Sequence, residues 1–249
     1  MEDQLNPAYH SKESNKEGQF LIRVKRDSVF KNTQPKYRKD LVTSIIFLFL
    51  LLTANIAFAD SQSSSKNGVN WFEKGNAMVN AGKYQEAMEA YTKAIEVDPE
   101  DAKAFNNRGF TYVELGDYQQ AIRDLDKAVE LNPKYAEAYF HRGTTYGKLG
   151  DYQQAILDLD KAIELNPKFA EAFYNRGLAH GKLANYQQEI RDYDKAIQLN
   201  PKYAKAFNNR GTTYGKLGND KQAINNLKLA ARLGDKDAQE FLRSKEIEW

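Results

Sequence analysis

Glycine recurs every 34 residues through most of the C-terminal part of the chain, at Gly75, Gly109, Gly143, Gly177 and Gly211. Prolines keep the same interval, at Pro99, Pro133, Pro167 and Pro201, and so do alanines, at Ala94, Ala128, Ala162, Ala196 and Ala230. A period of this length indicates a solenoid or a related repeat architecture. We therefore divide the region into units 1 to 5, which span residues 68–101, 102–135, 136–169, 170–203 and 204–237.

Each unit is predicted to form two helices. In unit 2, apolar and small residues recur at steps of three and four in both halves, as on one face of a helix. Asp117 with Gln120 is a capping box that starts the second helix. We expect Asn132 to cap the next unit's first helix and Pro133 to lie in its first turn. Because one helical hairpin cannot cover such wide apolar faces, neighbouring units must stack.

A helical hairpin with this spacing resembles the tetratricopeptide repeat. In unit 3, the residues that carry the resemblance are Tyr139, Gly143, Tyr146, Ala155, Leu159, Ala162 and Pro167. The resemblance covers residues 68 to about 237. It implies an all-α fold, a right-handed superhelical solenoid of five antiparallel helix pairs.

The end of the solenoid departs from the pattern. Unit 5 has Asp220 in place of a tyrosine and Asp235 in place of the proline. After it, the capping box that begins at Asp237 predicts a C-terminal capping helix and tail over residues 238–249, with Ala238, Phe241 and Leu242 directed inward. Within the array, Glu189 replaces the small alanine of the second helix in unit 4, and we expect it to loosen that helix pair.

The N-terminal part of the chain has a different composition. Residues 1–40 are polar and mixed in charge, without helical or strand periodicity, and we expect them to be a disordered leader. Residues 41–59 form an uncharged apolar segment that follows a basic flank. Residues 60–67 are a Ser-rich linker.

The apolar segment has two interpretations. Its basic flank, apolar core and Ala-Phe-Ala end are typical of a secretory signal, which predicts cleavage between Ala59 and Asp60. As a helix it would span about 28 Å, close to the ~30 Å of a bilayer core, so an uncleaved transmembrane anchor is the alternative. Both interpretations place the repeats outside the cytoplasm of a bacterial cell, either exported to the periplasm or exterior, or anchored at the membrane.

Composition argues against several function classes. The chain has no cysteine, which excludes disulfides, cysteine-ligated metals and a thiol nucleophile. Its net charge of +2 comes from the leader, so the repeats lack the basic stripe of a nucleic-acid-binding protein. No histidine has a partner at metal-ligand spacing, and no nucleophile–base set is present. We expect no enzymatic activity, cofactor, metal, nucleic acid or small-molecule substrate.

Charged residues also recur in columns. One column is Arg108, Arg142, Arg176 and Arg210; two others are Asp124, Asp158 and Asp192, and Asp126, Asp160 and Asp194. The matched numbers favour a ladder of Arg–Asp pairs that joins the units, and an anion-binding stripe is the alternative.

The resemblance implies a concave groove, lined by the first helix of each unit, that receives an extended peptide or a partner helix. Its implied lining consists of Phe72, Asn106, Phe140, Tyr174 and Asn208, then Asn76, Phe110, Thr144, Leu178 and Thr212, with a basic edge of Lys148, Lys182 and Lys216. Aromatic rings beside amides suit a peptide site, although some rings could pack only between units. We expect the neighbouring Gly147, Gly181 and Gly215 to clear the groove floor, at about 1 kcal/mol each relative to Ala.

The sequence thus predicts a non-catalytic interaction scaffold that binds a protein or peptide partner in this groove. A self-associating structural spacer at the cell envelope is the alternative.

Overall fold

The computed structural model describes residues 70–249. The predicted leader, the segment 41–59 with its cleavage site at Ala59 and Asp60, and the linker 60–67 lie outside the described residues. Within 70–249, no helix combines the length and the apolar character needed to cross a bilayer.

The described residues form eleven helices and no strand. They are α1 (70–80), α2 (Tyr84–Val97), α3 (Ala102–Glu114), α4 (Tyr118–Leu131), α5 (Ala136–Leu149), α6 (Tyr152–Leu165), α7 (Ala170–Lys182), α8 (Tyr186–Leu199), α9 (Ala204–Lys216), α10 (Asp220–Arg232) and α11 (Lys236–Ser244). Odd-numbered helices up to α9 are the first helices of the units, and even-numbered helices are the second.

The packing makes an all-α, right-handed superhelical solenoid. In units 2 to 5, each first helix packs most extensively on the second helix of its own unit, and each of the second helices α2, α4, α6 and α8 packs on the first helix of the next unit. First helices of neighbouring units also touch directly, as α3 does with α5 and α5 with α7. The first helices therefore form the inner, concave layer, and the second helices form the outer layer.

Small residues set the separation of the two helices in each unit. The core consists mainly of fully buried alanines, such as Ala104, Ala121 and Ala138. A Cβ atom added to Gly143 would lie 3.0 Å from the carbonyl oxygen of Ala155 and 3.0 Å from Cγ of Leu159. The first helix can approach its partner this closely only because glycine has no side chain at that point.

The turn inside unit 2 confirms that Asp117 caps the second helix. Its side chain accepts a hydrogen bond of 3.1 Å from the backbone N–H of Gln120 at the start of α4. The prediction for the connection between units was wrong. Asn132 and Pro133 precede α5 as part of a turn, in which the N–H of Tyr135 donates to the Asn132 carbonyl oxygen at 3.1 Å. Proline fits the second position of such a turn because its φ is already fixed there.

The C-terminal helix α11 also begins earlier than predicted. Its N-cap is Asp235, whose side chain accepts a 2.9 Å hydrogen bond from the N–H of Ala238, so the helix starts at Lys236. Ala238 and Leu242 are buried as expected. Phe241 is 44% exposed, contrary to the prediction, because none of the described helices packs over that side of α11.

Glu189 does not loosen unit 4 in the way the sequence suggested. Helices α7 and α8 pack as extensively as the other pairs. The side chain is buried, and its Oε1 accepts a hydrogen bond of 3.1 Å from the hydroxyl of Tyr193. Space for the carboxylate comes from Gly181 on the facing helix, where an added Cβ atom would lie within contact distance of Glu189 Oε1. Burial raises the pKa of Glu189.

The arginine and aspartate columns form the ladder favoured by the sequence. Arg142 makes two parallel hydrogen bonds of 2.7 Å to Asp158 on the second helix of its own unit. Its remaining Nη1 donates at 2.8 Å to Asp126 on the second helix of the preceding unit. Arg176 repeats both contacts, with Asp192 and Asp160. The guanidinium groups therefore join three helices each and are already paired with carboxylates.

The two aspartates of a rung should differ in their contribution to stability. The Asp158 side chain is 5% exposed, whereas that of Asp126 is 53% exposed. We expect Asp158→Ala to lower the free energy of unfolding by about 3 kcal/mol, since it leaves a half-buried guanidinium without its bidentate partner. Asp126→Ala should cost less than about 1 kcal/mol because water screens that pair. Urea unfolding measures the free energy of unfolding of both variants. Equal losses would contradict the expected difference between the buried and the exposed aspartate of a rung.

A second prediction concerns the turn inside unit 4. Ala184 has a φ of +58°, at the position where unit 3 has Gly150 with a φ of +86°. A side chain in this left-handed region costs about 1–2 kcal/mol. We expect Ala184→Gly to raise the free energy of unfolding by about 1 kcal/mol. This value is the strain that the substitution relieves less the entropic cost of ordering a glycine. Gly150→Ala is the matched control and should lower it by a similar amount in the same urea titration; a destabilising Ala184→Gly would show that the turn is not strained.

Candidate functional site

The N-terminal half of the concave layer contains a pocket of about 570 Å³ built by the first helices of three successive units. We call it the amide pocket. Its lining consists of Glu73, Asn76, Val79 and Asn80 of α1, Tyr91 of α2, Asn106, Asn107 and Phe110 of α3, and Glu137 and His141 of α5. Three of the residues implied by the resemblance, Asn76, Asn106 and Phe110, therefore meet in one site.

Hydrogen bonds between side chains fix the amides of this pocket. Asn76 Oδ1 accepts from the hydroxyl of Tyr91 at 2.8 Å and from Asn107 Nδ2 at 3.0 Å. Asn106 Nδ2 donates to Asn107 Oδ1 at 3.0 Å and to the Tyr135 hydroxyl at 3.4 Å. The network crosses from unit 1 to unit 2, so the amides are oriented before any ligand arrives.

One acceptor in the network has no partner. Asn106 is 1% exposed and lies at the base of the pocket rather than on its surface, where the sequence placed it. Its Oδ1 accepts no hydrogen bond from any described residue. A buried acceptor left unpaired costs free energy, so this oxygen favours a ligand or a water molecule that brings an N–H or O–H donor.

His141 forms the wall between the pocket and the middle of the groove. Its ring centroid lies 5.2 Å from that of Phe110 and 5.3 Å from that of Phe140. Burial among these rings lowers the pKa of His141 to about 4. The imidazole is therefore neutral at physiological pH and adds no positive charge to the groove.

The aromatic residues farther along the groove pack on the turn that leads from their own unit into the next one, and they also remain half-buried. Phe140 packs on Phe169 with ring centroids 4.6 Å apart, and Tyr174 packs on Tyr203 at 4.8 Å. The Tyr174 hydroxyl accepts a 3.0 Å hydrogen bond from Asn209 of the next unit. These rings stabilise the stacking of units and leave an apolar edge on the concave side.

A second pocket, of about 500 Å³, lies at the C-terminal end of the repeats. It contains the predicted groove residues Asn208 and Thr212, together with Ile224 and Leu227 of α10 and Phe241 of α11. The predicted lining is thus divided between two pockets, and the two ends of the groove differ in polarity.

The remaining predicted residues line neither pocket. Phe72 packs against Tyr91 of its own unit at 5.8 Å, and Thr144 donates to the Phe140 carbonyl oxygen at 2.8 Å. Leu178 is half-buried on α7. The lysines Lys148, Lys182 and Lys216 are exposed at the C-terminal ends of the first helices.

The prediction that the three mid-helix glycines clear the groove floor is wrong for Gly147 and Gly181. A Cβ atom added to Gly147 would meet the Cβ of Ala155 at 3.9 Å, and one added to Gly181 would meet the carboxylate of Glu189, each on the second helix of the same unit. An added Cβ at Gly215 would likewise meet Ala223 at 3.8 Å, but Gly215 also lines the C-terminal pocket together with Asn208 and Thr212.

The predicted lining left out seven residues of the amide pocket. Val79, Asn80 and Tyr91 are three of them, and the other four are Asn107, His141, Glu137 and Glu73. These last four lie one residue after, or three before, the columns that were predicted. Successive helix positions are about 100° apart, so a pocket that spans more than one column of each helix also includes these neighbours. The column of Asn107 and His141 carries polar residues in every unit, at Glu73, Asn107, His141, Asn175 and Asn209, and that regularity was the available signal.

Within residues 70–249, no cluster of three or more His, Asp or Glu side chains has a geometry that could hold a metal ion. The column arginines are engaged in the ladder, which leaves amides, rings, carboxylates such as Glu73 and Glu137, and exposed lysines as the groups that face the groove.

Sequence profiles of the tetratricopeptide repeat match the chain from residue 75 to residue 237. A profile described as "TPR repeat" matches residues 75–116, 111–150 and 185–218. Profiles described as "Tetratricopeptide repeat" match residues 136–169, 159–191 and 204–237. No curated protein sequence matches the chain significantly.

Solved structures with the same fold include a crystal structure of MamA, which is 30% identical, with a TM-score of 0.59 over 66% of this chain and 96% of that one. MamA (41-end) from Desulfovibrio magneticus RS-1 is 23% identical, with a TM-score of 0.61 over 67% of this chain and 94% of that one. YrrB, described as "a TPR protein with an unusual peptide-binding site", is 24% identical, with a TM-score of 0.59 over 76% and 98%. Because the profile matches cover more than half of its length, the chain belongs to the tetratricopeptide-repeat family.

Proposed function

We propose that this protein is a non-catalytic scaffold whose concave groove binds an extended segment of a partner protein. The observation that carries the proposal is the amide pocket, in which three units converge on an oriented amide network with an unpaired acceptor. An extended peptide presents an N–H group at every residue, and such a donor would satisfy Asn106 Oδ1. Membership of the repeat family and the description of YrrB support the same class of ligand.

The groove also offers apolar anchor points beside its amides. Phe110 lines the amide pocket, and Leu178 and Tyr174 continue the inner layer toward the C-terminal units. Peptide interfaces commonly combine a few apolar anchors with hydrogen bonds that fix the position of the backbone. The site therefore suits a chain that alternates apolar side chains with accessible backbone groups.

The proposal extends to location, on the basis of residues 41–59. A basic flank, an apolar segment and the Ala-Phe-Ala end favour export of the repeats or their anchoring at the membrane. The scaffold would then assemble its partner outside the cytoplasm.

Matched leucine substitutions test the groove. Peptides selected from a phage-displayed library on the full-length protein serve as ligands, and fluorescence anisotropy measures their Kd. We expect Leu178→Ala combined with Phe110→Ala to weaken binding at least about tenfold, since each substitution removes an apolar contact on the inner layer. Leu157→Ala is the control because Leu157 is 61% exposed on the second helix α6, in the outer layer.

Thermal unfolding establishes that each variant is folded at the temperature of the binding assay. Equal Kd values for the groove variant, the control and the unmodified protein would contradict the groove as the site. If no peptide is selected and the mass in solution rises with concentration, self-association as a structural spacer becomes the better account.

A further inference from the structure

Charge is distributed unevenly along the concave layer. In units 3, 4 and 5, an exposed lysine lies near the C-terminal end of the first helix. We call these three residues, Lys148, Lys182 and Lys216, the lysine ridge. The equivalent residues of units 1 and 2 are Asn80 and Glu114. The ridge is therefore confined to the C-terminal three units.

The opposite edge of the same helices shows a similar gradient. A first helix runs from the turn between units to the turn within a unit, so these two turns border the groove on either side. In the turns between units, the residue after proline is Glu100 in the first turn and an exposed lysine afterwards, at Lys134, Lys168 and Lys202. Lysines thus border the C-terminal half of the groove on both sides.

Tyrosine rings position two of the ridge lysines, and none of the three forms an ion pair with a described residue, although Lys216 partly opposes the effect of burial that raises the pKa of Glu189. Nζ of Lys148 lies 5.6 Å from the ring centroid of Tyr118, and Nζ of Lys216 lies 5.6 Å from that of Tyr186. In each case the ring belongs to the preceding unit, which holds the charge at the seam between units. Among residues 70–249, no carboxylate forms an ion pair with a ridge lysine.

Two lysines of the outer layer are neutralised by a carboxylate on their own helix. Lys127 pairs with Glu130 at 2.9 Å, and Lys161 pairs with Glu164 at 2.7 Å, each one helical turn away. The next residue of that column, Lys195, donates instead to the neutral Gln198 at 2.8 Å.

The N-terminal half of the groove has the opposite character. Glu73 and Glu137 line the amide pocket, and the neutral ring of His141 does not offset them. A partner that lies along the whole groove thus meets amides and carboxylates at the N-terminal end. Over units 3 to 5 it meets lysines at both borders, together with the carboxylates of Glu137 and Glu171 and, in the C-terminal pocket, of Asp220 and Asp237.

We propose, on the basis of the function proposed above, that the partner segment is an acidic peptide whose carboxylates lie over units 3 to 5, between the lysine ridge and the lysines of the turns. Its less acidic end occupies the amide pocket. A protein segment fits better than a nucleic acid because its carboxylates can be spaced to avoid Glu137 and Glu171 of the same inner helices, whereas these two residues would repel a continuous row of phosphates.

Three synthetic probes test this inference on the full-length protein. Each is a fluorescein-labelled 12-residue peptide in which apolar residues alternate with Glu, Gln or Lys. We expect the Glu peptide to bind about tenfold more tightly than the Gln peptide at low salt, since a few exposed charge pairs contribute that much in sum. The Lys peptide should bind more weakly than both. Added salt should reduce the advantage of the Glu peptide by screening the charges.

Two triple variants test whether the ridge lysines cause the preference for the Glu peptide. In each variant the three substituted lysines are 34 residues apart. Replacement of the ridge lysines by Gln should abolish the preference for the Glu peptide. The control replaces three outer-layer lysines, Lys127, Lys161 and Lys195, by Gln, and should retain the preference. All three controls lie on second helices.

The outcomes separate this inference from the broader proposal. If Leu178→Ala with Phe110→Ala weakens all three peptides, but Glu and Gln peptides bind equally, the groove is the site and its acidic preference is wrong. If the groove variant changes no affinity, both proposals are wrong. If a 12-nucleotide single-stranded oligonucleotide competes as strongly as the Glu peptide, the ridge recognises polyanions in general and the acidic-peptide inference is overturned.

Discussion

The close approach of the two helices within each unit is the constraint on which the rest of the structure depends. Gly143 allows it in unit 3, where an added Cβ atom would press against both the backbone and the side chains of α6. Close helices give a flat hairpin with two wide apolar faces, and such a hairpin is stable only between neighbours. Stacking then places the first helices on the inside of the curve, which is what creates a groove at all.

The units are joined by contacts that repeat with the sequence. Each column arginine ties the second helix of its own unit to that of the preceding unit, as Arg142 does through Asp158 and Asp126. Ring pairs such as Phe110 and His141 add contacts between units on the inner side. Because the ladder neutralises its own charges, the exposed charge of the groove comes from other residues, and these vary from unit to unit.

The fold and the ladder could be predicted because each depends on a spacing that occurs several times. Features that depend on which residue lies opposite another in three dimensions were harder to predict, because they do not recur in the sequence. Asn132 is of a residue type that is common at helix caps, but in the structure it lies in the turn before the helix. Glu189 is larger than the alanine at this position in other units, and its burial is explained by Gly181 on the facing helix, which the sequence alone does not place there. The groove columns were found in part, but the amide pocket also needs Asn107 and His141, which only the relative rotation of neighbouring helices brings together.

The central claim is that the partner lies on the inner layer of first helices. Site-specific photocrosslinking tests it most directly, with p-benzoylphenylalanine placed at Phe110 in one protein and at Leu157 in another, each mixed with a selected peptide. Phe110 lines the amide pocket, and Leu157 lies exposed on the outer layer. Our account predicts that mass spectrometry finds the crosslinked peptide from position 110 and not from position 157. Crosslinking from position 157 alone, or equally from both positions, would contradict it.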